Sequence, residues 1–191
     1  MKLIFATNNA HKLMEVSRML DNKFELSTPR EVGITEDIPE TAPTLEGNAL
    51  QKARYIYERT GENCFADDTG LEVDALNGEP GVKSARYATD GHDFRANNVL
   101  LMKNMEGNTN RKANFRTVIA LIIDGTEHLF EGRVDGVITT TESGAEGFGY
   151  DPIFRPDGYT ETFAEMTTDQ KGEISHRGRA VAKLVEFLKN L

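Results

Sequence analysis

Asp67 and Asp68 stand side by side in the run Cys64-Phe65-Ala66-Asp67-Asp68-Thr69-Gly70. The apolar residues before them read as a short buried strand, Cys64 to Ala66, which delivers two like charges to its end. Each carboxylate near a core costs desolvation energy, and the pair repels, unless cations compensate. A divalent metal is the usual compensator, and a metal at a strand end points to phosphate chemistry. The same letters, Asp-Asp-Thr-Gly, are also good turn material, so this segment alone leaves an exposed turn open.

Four other runs carry groups suited to one anionic, ring-bearing ligand. Thr7, Asn8, Asn9, Ala10, His11 and Lys12 join a buried strand to a helix, where free N–H groups and the helix dipole favour an anion. Ordinary capping by Asn9 would use the same residues. The run is no Walker A loop, because the glycines and the Lys-Ser/Thr pair are missing. Lys52 lies in a helix starting near Glu46, and Glu40 precedes it; all three could face the acid pair or simply solvent. Phe148, Gly149, Tyr150 and Asp151 combine aromatics with glycine, so a ring face is open for a base to stack on, worth about 1–3 kcal/mol. The competing reading is a packed turn whose aromatics fill the core. Ser175-His176-Arg177-Gly178 places donors at a helix start, the unfavourable end of the dipole, and a ligand oxygen would offset that local cost. Lys171 lies four residues before Ser175. His11, His92 and His128 lack metal-ligand spacing.

The elements that must position these groups follow from periodicity. Strands are expected at Leu3 to Ala6 and Phe24 to Ser27, then at Asn114 to Ile123 and Glu127 to Ile138. The last two are joined by Asp124-Gly125, a strong hairpin signal. Helices are expected at His11 to Asp21, Glu46 to Thr60, Phe94 to Met105 and Ser175 to Leu191. Thr28 to Thr44, with its prolines and acids, reads as a long surface loop. Strands that alternate with helices and then pair as a hairpin make a mixed α/β sheet with helices on its faces.

The chain has 191 residues, enough for one domain with a sizeable core. Its 22 Lys and Arg against 31 Asp and Glu give a net charge of -9, which argues against a broad nucleic-acid-binding face but not against a small anion. Cys64 is the one cysteine, so no internal disulfide forms, and it is expected as a buried small hydrophobe. No apolar run approaches the ~20 residues of a membrane span. The expectation is a cytoplasmic protein with no membrane or nucleic-acid partner.

Five motifs, in order from end to end, resemble a known family. They are Thr7-Asn8-Asn9-x-x-Lys12, Ala66-Asp67-Asp68-Thr69-Gly70-Leu71, Pro80-Gly81-Val82-x-Ser84-Ala85-Arg86-Tyr87, Gly147 to Phe154, and Ser175-His176-Arg177-Gly178. They resemble the non-canonical purine nucleoside triphosphate pyrophosphatases, the inosine triphosphatase group. The resemblance implies hydrolysis of ITP, dITP and XTP to monophosphate and pyrophosphate, with Mg²⁺, by a homodimer. It implies a single catalytic domain over 1–191: an elongated, mixed, twisted sheet flanked by helices, in two lobes with a central cleft. By motif, Asp68 resembles the general base and metal ligand, with Asp67 beside it and Thr69 touching substrate. Thr7 to Lys12 would hold the triphosphate; Phe148 to Asp151, Lys171, His176 and Arg177 would hold base and phosphates, with Lys52 also in reach. Asn8 stands where many members carry Gly, and Thr69 where Ser is common. Glu46-Gly47-Asn48-Ala49 departs from the usual pattern, so Glu40 and Glu46 both stay open as the second metal acid. A pyrophosphatase of the Maf class and a nucleotide-binding module without catalysis are the alternatives.

Overall fold

A computed structural model describes residues 1–21 and 23–191. Seven strands, β1 (Lys2–Phe5), β2 (Glu25–Ser27), β3 (Cys64–Val73), β4 (Pro80–Gly81), β5 (Lys112–Ile123), β6 (Thr126–Ile138) and β7 (Phe154–Pro156), form one mixed sheet. Its order is β2-β1-β3-β5-β6-β7, with β4 paired to β3. The first two pairings, β1 with β2 and β1 with β3, are parallel; β3–β4 and β6–β7 are antiparallel. Among the described residues five α-helices accompany it: α1 (Ala10–Leu20), α2 (Leu45–Thr60), α3 (Phe94–Asn104), α4 (Thr168–Ile174) and α5 (His176–Lys189). No helix among the described residues is long and apolar enough to cross a membrane.

The chain divides into two compact units. One comprises 1–68, 117–132 and 177–191; the other comprises 69–116 and 133–176. In the first unit β1, β3 and β5 are buried on both faces, which a period of two makes legible residue by residue. Leu3, Phe5, Phe65, Ile119, Leu121 and Ile123 pack with Val16 and Leu20 of α1 and with Val181, Leu184 and Leu188 of α5. Their alternates, Ile4, Ala6, Cys64, Ala66, Val118, Ala120 and Ile122, pack with Leu45, Ala49, Ala53 and Ile56 of α2. Cys64 is fully buried, and burial pushes its thiol up to about 12, so it is the inert small hydrophobe expected.

The second unit has its own core. Leu71 and Val73 of β3, Phe115 of β5 and Ile138 of β6 pack with Leu101 of α3 and with Tyr150, Phe154 and Phe163. Phe115 and Phe154 meet edge to face at 4.6 Å.

The expected elements are present with small shifts at their ends, and the Asp124-Gly125 hairpin turn has positive φ at both residues, 48° and 81°. Two differences matter. The strand expected to stop at Ala66 runs on to Val73, straight through both acids, so Asp67 and Asp68 are strand residues rather than turn residues. Ladder bonds and the burial of Leu71 and Val73 override the turn propensity of Asp-Asp-Thr-Gly. The terminal helix is preceded by a separate one, α4, whose start is a capping box. Thr167 Oγ1 accepts from Gln170 N, and the Gln170 side chain returns the bond to Thr167 N. Extended backbone at Ser175 (φ −71°, ψ 160°) separates α4 from α5.

Leu184 is fully buried on the α5 side of the first unit's sheet. Leu184→Ala should cost about 3 kcal/mol of stability through lost transfer energy and a residual cavity, read as a lower urea midpoint at unchanged slope.

Candidate active site

Alternation along β3 decides where the two acids go. Phe65 belongs to the face under α1 and α5, and Asp67 follows it; Ala66 belongs to the face under α2, and Asp68 follows that. Asp67 is 1% exposed. Lys12 Nζ of α1 donates to its Oδ1 at 3.3 Å, and Arg177 Nε of α5 donates to its Oδ2 at 3.4 Å. Arg177 is itself buried, and its Nη1 donates to Glu15 Oε2 of α1 at 2.6 Å. The result is a buried chain of alternating charge: Glu15, Arg177, Asp67, Lys12.

The α2 face supplies a third cation. Lys52 Nζ donates to the Asp67 carbonyl oxygen at 2.6 Å and pairs with Glu40 Oε1 at 2.6 Å. Lys52 therefore ties the loop before α2 to the acid-bearing strand. Of the two candidate glutamates, Glu40 is the one this bond brings into the charged group; Glu46 is half-buried in the first turn of α2.

The two adjacent carboxyls have opposite protonation tendencies. Burial pushes Asp67 up, but Lys12, Arg177 and Lys52 together overcome it and hold the group well below the ordinary carboxylate range. For Asp68 burial wins: its carboxyl sits above the ordinary value, with Lys52 and Lys12 opposing and Glu40 and Asp67 adding to the rise. Lys12 is lowered, first by burial and then by Lys52 and Arg177, against the pull of Asp67. An acid held below the ordinary range beside one raised above it is the division of labour that acid–base chemistry uses.

The strand-to-helix turn before Lys12 is tighter than its sequence suggests. Asn9 caps α1, its Oδ1 accepting from His11 N at 3.0 Å and Lys12 N at 3.2 Å, while Asn9 N donates to Thr7 Oγ1 at 3.1 Å. Two of the N–H groups expected to meet an anion are thus engaged by the cap. Asn8, Ala10 and His11 are exposed. Thr69 follows Asp68 in β3 and is half-buried.

A second group lies wholly in the other unit. Phe148 and Gly149 are half-buried in the loop after β6, whereas Tyr150 and Asp151 are buried. Asp151 Oδ2 accepts from Phe148 N at 3.0 Å and from Lys171 Nζ of α4 at 2.7 Å. Lys171 Nζ also lies 4.8 Å from the Phe148 ring centroid, a cation–π arrangement. The loop needs its first glycine: Gly147 has φ 72°, and a Cβ there would collide with Asp151 Oδ2. The ring of His176 stacks on Phe115 at 4.6 Å and 17°.

Among the described residues no group of three or more His, Cys, Asp or Glu side chains forms a metal cage. Asp68 and Glu40 are hard oxygen donors influencing each other within the charged group. Two carboxylates without a closed cage suit an ion that completes its shell with water and phosphate oxygens, as Mg²⁺ does.

Sequence reasoning had not singled out Glu15, Asn97 or Asn98. Glu15 carried a readable signal, an acid beside Val16 on the otherwise apolar side of α1. Asn97 and Asn98 are two buried amides in α3, a pair of polar residues next to an apolar run that wants internal partners.

Asp67→Ala should remove the counter-charge of buried Arg177 and Lys12 and cost about 3 kcal/mol or more, measured by urea unfolding at neutral pH. The sign with pH follows from the depressed Asp67 value. Its stabilisation is present above the unfolded carboxylate pKa and is lost as pH falls through the folded one. Wild type should therefore lose more stability on acidification than Asp67→Ala does.

A sequence model of the Ham1 family matches residues 3–187. A dITP/XTP pyrophosphatase of Porphyromonas gingivalis is 54% identical over 98% of this chain and 97% of its own. One from Flavobacterium psychrophilum is 48% identical over the full length of both. Among solved structures, a HAM1 protein from Coxiella burnetii superposes with a TM-score of 0.92 at 34% identity, covering 100% of both chains.

Proposed function

The chain belongs to the Ham1 family, and on that premise we infer that it hydrolyses the non-canonical purine nucleoside triphosphates ITP, dITP and XTP to the monophosphate and pyrophosphate. The observation that carries the reading is the unequal acid pair. Lys12 and Arg177 hold Asp67 below the ordinary carboxylate range, whereas burial raises Asp68 on the opposite face of β3, and the family motif gives the chemistry to Asp68.

Asp68 and Glu40 are the residues that would hold a magnesium ion. Bound there, such an ion supplies positive charge to phosphate oxygens and acidifies a water. Asp68 orients the attacking water in line with the α-phosphorus and takes its proton. Lys12 and Lys52 face the charge that develops on the departing pyrophosphate. Thr7 to Ala10 and Thr69 complete the polar surroundings of the phosphates. Asp67 acts as a fixed anion that holds Lys12 and Arg177 in place.

Phe148 offers its ring to the base, with Lys171 and Asp151 fixing the loop beneath it. The motif assigns His176 and Arg177 to the 6-oxo side of the base; Arg177 already gives Nε to Asp67 and Nη1 to Glu15, so the donor argument rests on His176. Adenine carries an amino donor there and forfeits that bond, a loss of about 0.5–1.5 kcal/mol, with about 1–3 kcal/mol more where the donor is left desolvated. The homodimer, the cytoplasmic setting and the choice of magnesium belong to this same reading.

Purified protein given ITP and Mg²⁺ should release pyrophosphate and IMP; release of orthophosphate and IDP would overturn the reading. ATP should be turned over about 100-fold less efficiently than ITP, compared as kcat/KM, and equal values would remove the donor argument. Asp68→Asn should lower kcat by at least about 100-fold.

A further inference from the structure

Ser84 sits in a buried polar cluster of the second unit. Its Oγ accepts from Leu71 N of β3 at 2.9 Å and donates to Gly81 O at 2.6 Å. Its carbonyl oxygen accepts from the Tyr150 hydroxyl at 2.6 Å, a fully internal bond between residues 66 apart in the chain. Asn97 of α3 pins the same turn, with Nδ2 donating to Ala85 O at 3.0 Å and Oδ1 accepting from Ala88 N at 2.8 Å. Burial raises the Tyr150 phenol well above its ordinary value, so the hydroxyl stays a donor at any working pH.

One residue away, the Gly149 carbonyl accepts from Asn98 Nδ2 of α3 at 3.0 Å. The Phe94 ring of α3 lies 5.9 Å from that of Phe148. Phe148 is thus flanked by Gly147 and Gly149, both at positive φ, yet the backbone following it is strapped to α3 and to the Ser84 turn. Glycines at both flanks make a free loop conformationally loose, and that looseness would be lost at the moment a ligand bound. Two internal bonds that remove it beforehand make the ring a preorganised surface.

We propose that the hydrogen bonds from Tyr150 to Ser84 and from Asn98 to Gly149 hold the Phe148 ring ready for a purine base, making Tyr150 and Asn98 positioning residues for base recognition. The inference rests on Phe148 being the base-stacking residue in the function inferred above. Neither side chain touches the base: Tyr150 is 5% exposed and Asn98 4%. Their effect passes through the loop.

The test uses the full chain with Tyr150→Phe, which removes only the hydroxyl, and Asn98→Leu, which removes the second strap from a different element. KM for ITP, kcat, the dissociation constant of IMP and the melting temperature are measured for each. The expected signature is a rise of about tenfold in both KM and the IMP dissociation constant, with the loss falling on binding rather than on kcat. Unchanged KM and IMP affinity in the folded variants, even with a lowered melting temperature, would reduce the two bonds to ordinary core support and overturn the proposal. If Tyr150→Phe does not fold, Asn98→Leu decides alone. A wild type that releases no pyrophosphate from ITP sinks the assigned reaction but leaves IMP affinity to judge the straps; a wild type that binds no IMP overturns both.

Discussion

A carboxylate inside a protein is tolerable only when cations reach it, and Asp67 is reached by Lys12, Arg177 and Lys52 from three helices. That constraint organises the first unit. Lys12 extends from the start of α1, Arg177 from the start of α5, and Lys52 from the middle of α2. Each helix also carries part of the apolar packing against the strands, so the ion network and the core specify the same arrangement. The network is long-range in sequence, linking positions 55 and 110 residues apart. Such contacts close large loops, and the gain must come from many cooperating groups rather than from one pair.

The neighbouring acid gains its chemistry from the same geometry. A strand turns successive side chains to opposite faces, so the cations that neutralise Asp67 serve Asp68 less well. Burial raises the Asp68 carboxyl above its ordinary value against Lys52 and Lys12, and Glu40 adds to the rise. Two identical side chains one residue apart thus come to differ, one held below the ordinary carboxylate range and the other raised above it.

The second unit applies a different device, a polar scaffold that restrains an aromatic. Gly147 lets the backbone come close to Asp151, whose carboxylate takes the Phe148 N–H and the Lys171 ammonium. Around it Ser84, Asn97 and Tyr150 satisfy one another's donors and acceptors in a buried cluster. Fully satisfied networks of this kind rigidify their surroundings, while partly satisfied ones are costly. The run Ser84 to Tyr87, which reads as a weak motif in isolation, supplies the scaffold's centre.

Local rules alone made much of this protein legible. Alternating apolar residues placed β1, β5 and β6, helical stripes placed α1 and α5, and Asp124-Gly125 fixed a hairpin, because these signals depend only on neighbours along the chain. Motif order likewise set Asp68, Lys12, Phe148 and Arg177 apart as candidates. The strand through Asp67-Asp68-Thr69-Gly70 was not legible, since turn propensity is local and the ladder that overrides it is not. Nor could any pattern tell that Asn9 would spend its side chain on the helix cap, or that Tyr150 would bond Ser84. Residue types and spacing determined which groups could do chemistry. Only the tertiary structure decided which acid is held below the ordinary carboxylate range and which is raised above it, because a pKa is set by the charges and solvent around a group in space, and those come from distant parts of the chain.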